Sequence, residues 1–200
     1  MRMVIVMAAA SLAALSPAHA ADTYGKLFGG VVFGADHDIT ANLPGVGSGT
    51  GAVDTDTGYG VGGALGYRLS DMFAVEGEVA YRSNNVDSGV VAGTAFDGDG
   101  DLNSLSFMAN GVFTAPGRFG VAPYVGAGAG TAQLGTSGDH DFVFAYQAFA
   151  GLNKQLGENL GAAVEYRYFG ADDATFTDGP ATLTTEYATH SVNLVLTRRF

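Results

Sequence analysis

The sequence predicts an all-β protein, an eight-stranded antiparallel up-and-down transmembrane β-barrel. Three observations predict it: two-residue alternation of polarity, a repeated aromatic spacing and very uneven connection lengths. The alternation is clearest over FAVEGEVAYR, Phe73 to Arg82. Phe73, Val75, Gly77, Val79 and Tyr81 fall on one face, and Ala74, Glu76, Glu78, Ala80 and Arg82 on the other. A half-buried strand of a soluble sandwich alternates in the same way. The spacing and the connections decide for a barrel whose apolar face meets lipid and whose polar face lines the interior.

The first element is a leader. Val4 to Leu15 is the only sustained apolar run; it follows Arg2 and leads through Ser16 and Pro17 to Ala18-His19-Ala20, a small-x-small cleavage pattern. Its 12 residues are too few to cross a bilayer as a helix, which takes about 20. Residues 1–20 therefore read as a signal peptide and residues 21–200 as one barrel domain. There is no cysteine, so stability in an exported chain must come from packing or from a closed sheet.

Eight alternating segments follow: Tyr24 to Gly34, Thr57 to Leu69, Phe73 to Ser83, Leu102 to Thr114, Gly120 to Leu134, Phe142 to Asn153, Leu160 to Gly170 and Glu186 to Phe200. Ser70 to Met72, Ala115 to Phe119 (through Pro116-Gly117) and Lys154 to Asn159 read as tight turns. Ala35 to Asp56, Asn84 to Asp101 and Ala171 to Thr185 read as long polar loops at the opposite end. Membrane barrels have this asymmetry, with short periplasmic turns and longer external loops.

Tyr59 and Tyr67 share a face, as do Phe73 and Tyr81, each pair eight residues apart. On strands tilted by about 40° that separation covers about 20 Å of membrane normal, close to the height of the apolar band between two aromatic girdles. Tyr67 and Phe73 then mark the periplasmic girdle, and Tyr59 and Tyr81 the outer one. The same phase turns Arg68, Glu76, Glu78, Arg82, Glu165, Arg167 and Arg199 inward, together with Lys26, Asn110 and Gln147. A mixture of charges is costly in an interior unless it is paired and hydrogen-bonded. These residues are expected to form a lumen charge network, and inward glycines at 58, 60, 62, 66, 126, 128 and 130 to leave room for the long side chains. An eight-stranded interior is just wide enough for side chains to fill.

The net charge of −11, or −12 once Arg2 leaves with the signal, excludes a nucleic-acid binder. Fourteen of the 20 acidic residues fall in four glycine- and threonine-rich stretches, the three expected long loops with the adjoining Glu186 and the stretch holding Asp139 and Asp141, with almost no Lys or Arg beside them.

Taken together, Pro123-Tyr124-Val125-Gly126-Ala127-Gly128-Ala129-Gly130, Ala145-Tyr146-Gln147-Ala148-Phe149-Ala150-Gly151, Val164-Glu165-Tyr166-Arg167-Tyr168 and a last strand ending in Phe200 resemble the small eight-stranded outer-membrane barrels of Gram-negative bacteria, the superfamily of opacity proteins and OmpA-like membrane domains. The resemblance implies a place in the outer membrane among lipid and lipopolysaccharide, and a structural or surface-antigen role. It also implies that Phe200 is the C-terminal signal read by the barrel-insertion machinery, although Arg198 stands where an aromatic or apolar residue is usual. The peptidoglycan-binding domain of longer relatives is not expected. Divalent cations are expected to bridge the acidic loops to lipopolysaccharide phosphates.

No metal, cofactor or catalytic residue is expected. Asp97-Gly98-Asp99-Gly100-Asp101 has the carboxylate spacing of a calcium loop, but Leu102 and Met108 stand where that loop needs its glycine and its bidentate glutamate. His190 and Ser191, the pair that would suggest a barrel hydrolase, are adjacent on a strand and point to opposite faces. His37 and His140 have no recognisable partner motif. The expected function is a plugged, surface-exposed envelope barrel. A narrow porin-like pore is the alternative, with an adhesin whose loops bind an extracellular ligand behind it.

Overall fold

The computed structural model describes the backbone of residues 22–34, 37–43, 47–55, 57–91, 94–136, 139–178 and 181–200, and the side chains of 22–33, 57–83, 103–133, 142–172 and 188–200. The expected signal peptide lies outside the described residues. Ten strands are described: β1 (Thr23–Gly34), β2 (His37–Leu43), β3 (Gly47–Thr55), β4 (Gly58–Arg68), β5 (Phe73–Val91), β6 (Thr94–Thr114), β7 (Val121–Thr136), β8 (Asp139–Gln155), β9 (Leu160–Asp178) and β10 (Ala181–Arg199). Eight of them, all but β2 and β3, close an antiparallel barrel. Each pairs with its neighbour in this set, and β1 seals the wall by running from Tyr24↔Arg199 to Gly34↔Thr189 along β10. The backbone N–H of Phe200 donates to the Thr23 carbonyl at 3.1 Å, tying the last residue to the first strand.

Short turns gather at one end. At Leu69–Met72 the Ser70 hydroxyl accepts from the N–H of Phe73 at 3.1 Å, the local bond that makes serine a turn former. Between β6 and β7 the chain reverses at Phe119-Gly120, not at the expected Pro116-Gly117. Arg118 and Val121 exchange both backbone hydrogen bonds, and φ is 54° at Phe119 and 74° at Gly120. Two successive positive φ values match the right-handed twist of a two-residue hairpin.

At the other end the three expected long loops are largely sheet. β2 and β3 form a hairpin inside the first, β5 and β6 run on to Val91 and from Thr94, and β9 and β10 run on to Asp178 and from Ala181. These stretches carry no apolar stripe, but they are rich in residues that suit an extended backbone. Val86, Val90, Val91, Thr94, Thr175, Phe176, Thr177 and Thr182 to Thr185 supply these. Beyond the last β1–β4 pairs, β2 docks on β10 and β3 on β5, taking their place in the wall. Pairing between β6 and β7 starts only at Asn103↔Gly135, and pairing between β8 and β9 stops at Ala145↔Ala171. The outer extension is therefore a six-stranded curved sheet, β6-β5-β3-β2-β10-β9, standing on a closed eight-stranded wall.

Aromatic rings fill much of the interior, and four of them lie across a glycine on the neighbouring strand: Tyr24 over Gly66, Phe28 over Gly62, Phe149 over Gly126 and Tyr124 over Gly151. A Cβ on Gly126 would overlap the Phe149 ring. We expect Gly126→Val to cost about 1–3 kcal/mol by overpacking. Gly77→Val, whose Cβ would enter open space on the outer face, should cost nothing or stabilise the strand. Urea unfolding of both variants in lipid vesicles checks the contrast.

Candidate functional site in the barrel interior

Period-two alternation places each polar side chain. On β5, Val75, Val79 and Tyr81 stay 46, 45 and 36% exposed, whereas Glu76, Glu78 and Arg82 are 4, 3 and 3% exposed. Six formal charges are thereby brought inside: Lys26, Arg82 and Arg167 against Glu76, Glu78 and Glu165. Their sum is zero.

The centre is Arg167 on β9. Its Nη1 donates to Glu78 Oε1 at 2.5 Å and to Gln147 Oε1 at 3.2 Å, while its Nη2 and Nε both donate to Glu165 Oε1, at 2.8 and 3.1 Å. The guanidinium plane lies between two rings, 4.5 Å from the Phe28 centroid and 4.8 Å from that of Phe149. Glu78 also accepts from Asn110 Nδ2 at 3.0 Å and Gln147 Nε2 at 3.2 Å. Gln147 Nε2 donates to Asn110 Oδ1 at 2.7 Å, so the amides are locked to one another as well. The remaining Glu165 oxygen accepts from the Tyr124 hydroxyl at 2.9 Å. Low dielectric strengthens each of these charge-assisted bonds and penalises any that is missing.

Toward the short turns stands a second unit. Glu76 pairs with Lys26 Nζ at 2.5 Å and accepts from the Tyr24 hydroxyl at 2.5 Å. Lys26 in turn lies 5.2 Å from the centroid of Tyr124 and 5.8 Å from that of Phe149. Toward the other end, Arg82 Nη1 donates to Ser106 Oγ at 2.9 Å, and its guanidinium lies 3.9 Å from the Phe169 centroid.

Glu78, Glu165 and Arg167 are thus brought together, with Glu76 on their short-turn side and Arg82 on the other side along the axis. Arg68 and Arg199 are not part of this cluster. Arg68 pairs across the turn with exposed Asp71 at 3.3 Å rather than with Glu76, and Arg199 sits at the short-turn mouth. The sequence reading missed the phenols of Tyr24 and Tyr124 and the inward rings of Phe28, Phe149 and Phe169. Their signal was available, since Tyr24 and Phe28 share the parity of Lys26. The inward glycines at 62, 66 and 126 make room for rings more than for charges.

On the outer face, Tyr67 and Phe73 stand near the short-turn end, 40 and 52% exposed, and Tyr59 and Tyr81 toward the other, 57 and 36% exposed. Phe73 packs on Phe113 with centroids 5.0 Å apart. His190 faces out and shares a 2.6 Å hydrogen bond with the Tyr166 hydroxyl, while Ser191 faces in and accepts from Asn193 Nδ2 at 3.0 Å. No group of three or more metal-ligating side chains occurs among the described residues. Asp97, Asp99 and Asp101 lie on β6, with side chains outside the described set.

A family model for the outer membrane protein beta-barrel domain matches residues 5–200. The barrel is similar to the outer membrane protein OprG from Pseudomonas aeruginosa, with a TM-score of 0.65 at 16% identity over 91% of this chain and 98% of that one. It is also similar to Neisserial surface protein A, with a TM-score of 0.56 at 15% identity over 89% and 97% of the two chains. The outer membrane protease OmpT from Escherichia coli superposes with a TM-score of 0.52 at 8% identity over 94% and 99%. At these identities the likeness concerns the fold alone. No curated protein matches the sequence.

Proposed function

Because this chain belongs to the outer membrane protein β-barrel domain family and resides in the outer membrane of a Gram-negative bacterium, we propose that it is a non-catalytic envelope barrel with a plugged lumen and an acidic external surface. One observation carries the plug: the buried charges sum to zero and are joined across the interior, from Glu78 on β5 through Arg167 on β9, with Asn110 of β6 and Gln147 of β8 closing the circuit. A filled, neutral middle leaves neither a water path nor a field to select an ion. The short-turn end then faces the periplasm. Tyr67 and Phe73 form the inner girdle, Tyr59 and Tyr81 the outer one, and Phe200 is presented to the insertion machinery. The external aspartates supply carboxylates for divalent bridges to lipopolysaccharide and carry whatever extracellular ligand the protein binds.

The purified barrel in planar bilayers should show no stable single-channel conductance, and a deletion strain should lose envelope integrity rather than solute uptake. A large steady conductance, together with an uptake defect, would replace the plug by a narrow pore. One observation favours that second reading, since the interior is open at its short-turn end.

A further inference from the structure

Below the Lys26–Glu76 pair the barrel holds a cavity of about 310 Å³. Its wall includes Lys26, Arg68 and Arg199, with Asn153, Thr114 and Thr197 completing a ring of donors. Inward side chains and the turn residues at 70–73, Gly117, Gly120 and Val121 bound it, so it opens along the barrel axis rather than through the lipid-facing wall.

The charges in this vestibule do not cancel. Glu76 is taken by Lys26 and Tyr24, and Asp71 is fully exposed at the tip of its turn, a pairing that solvent weakens for Arg68. Arg199 makes no ion pair among the described residues. Thr197 Oγ1 is buried without a hydrogen-bond partner, a state that native interiors rarely leave uncompensated. It also borders a smaller recess of about 20 Å³ shared with Arg199 and Asn153. Six of the eight lysines and arginines after residue 20 lie at this end, Lys26, Arg68, Arg118, Lys154, Arg198 and Arg199, against four acidic residues, Asp22, Asp71, Glu76 and Glu158.

We propose that the vestibule is a binding site for a small soluble anion carrying a phosphate group. Arg68 and Arg199 stand on the two strands that flank β1, and Lys26 lies on β1 between them. Two guanidinium forks, an ammonium and the free Thr197 hydroxyl offer more donors than the two oxygens of a carboxylate accept, and match the three or four oxygens of a phosphate. The axial opening favours a dissolved phosphate ester over a lipid headgroup. The site lies on the short-turn side of the Lys26–Glu76 pair. It does not depend on whether the lumen above conducts.

The test is NMR titration of the full mature barrel in phosphatidylcholine nanodiscs with inorganic phosphate and with glycerol 3-phosphate. Saturable shifts at Thr197, Asn153 and Arg199 are expected. Arg199→Gln and Thr197→Val, both folded by heat-modifiable gel mobility, should each weaken binding, the former by about tenfold or more, as expected for one lost charge-assisted hydrogen bond. Arg118→Gln, at the same end but outside the cavity, should leave affinity unchanged. No saturable shift at millimolar phosphate would overturn the site. Equal weakening by Arg118→Gln would reduce it to a diffuse field, and shifts that appear only when phosphatidylglycerol is built into the disc would assign the phosphate to lipid and overturn the soluble ligand.

Discussion

Glu78→Ala is expected to destabilise the folded barrel by about 3–5 kcal/mol, the usual cost of removing one partner of a buried ion pair. The carboxylate is 3% exposed and accepts from Arg167, Asn110 and Gln147. Its loss strands part of a guanidinium and two amide donors at once and leaves the interior with an excess positive charge. Denaturant unfolding in lipid vesicles measures the deficit. Val79→Ala, the neighbouring outward residue, sets the baseline, because truncation against lipid removes no polar partner. If the two variants lost the same stability, Glu78 would have to be solvated by water inside the barrel, and the plug would fail with it. The same variant should raise ion leakage in planar bilayers, since it opens the circuit at its middle.

Arg167→Met should be at least as damaging, by about 3–5 kcal/mol, because it leaves Glu78 and Glu165 facing one another with no cation between them. Combining it with Glu78→Gln and Glu165→Gln removes all three charges and keeps the amide hydrogen bonds. Buried ion-pair triads replaced by well-packed hydrophobic residues are often as stable as the parent or more so, by about 1–4 kcal/mol. The triple variant keeps polar amides and leaves Lys26 and Arg82 against Glu76, one positive charge in excess, so it is expected to lose less than the sum of the three single losses without regaining the parent's full stability. That non-additivity is the signature of one coupled network. Independent, additive losses at the three positions would mean that the side chains contribute separately.

How much of this was legible depended on which physical signal each residue carried. Glu78 and Arg167 were readable because alternation fixes the face of every residue on a strand once one face is known to be apolar. Their partners were not readable, because partners depend on register and on which strands the closed barrel brings opposite one another. Arg68 shares the inward face with Glu76 across the Ser70 to Met72 turn, whereas the register sets Lys26 and Tyr24 of β1 beside Glu76. The outer strand extensions were read as loops because polarity was taken to mean irregular backbone. β-branched content is the better guide there. The Ala115 to Phe119 turn is legible, but its reversal reads as Pro116-Gly117 rather than Phe119-Gly120, because a bulky side chain at positive φ runs against local preference. Only the Arg118–Val121 hydrogen bonds reveal it.

The six-stranded outer sheet has two ends. Where β6 rises beyond β7 and β9 beyond β8, each presents a run of backbone N–H and C=O groups that no neighbouring strand among the described residues occupies. Such a rim is a template for adding a strand from another copy, and crowded membrane proteins meet other copies constantly. Asp97, Asp99 and Asp101 lie on the first of these rims, and Asp172, Asp173 and Asp178 on the second. Any edge-to-edge contact must bring like charge against like charge. The acidity of the chain thus falls where self-association through the sheet would begin, and it keeps the rims as boundaries.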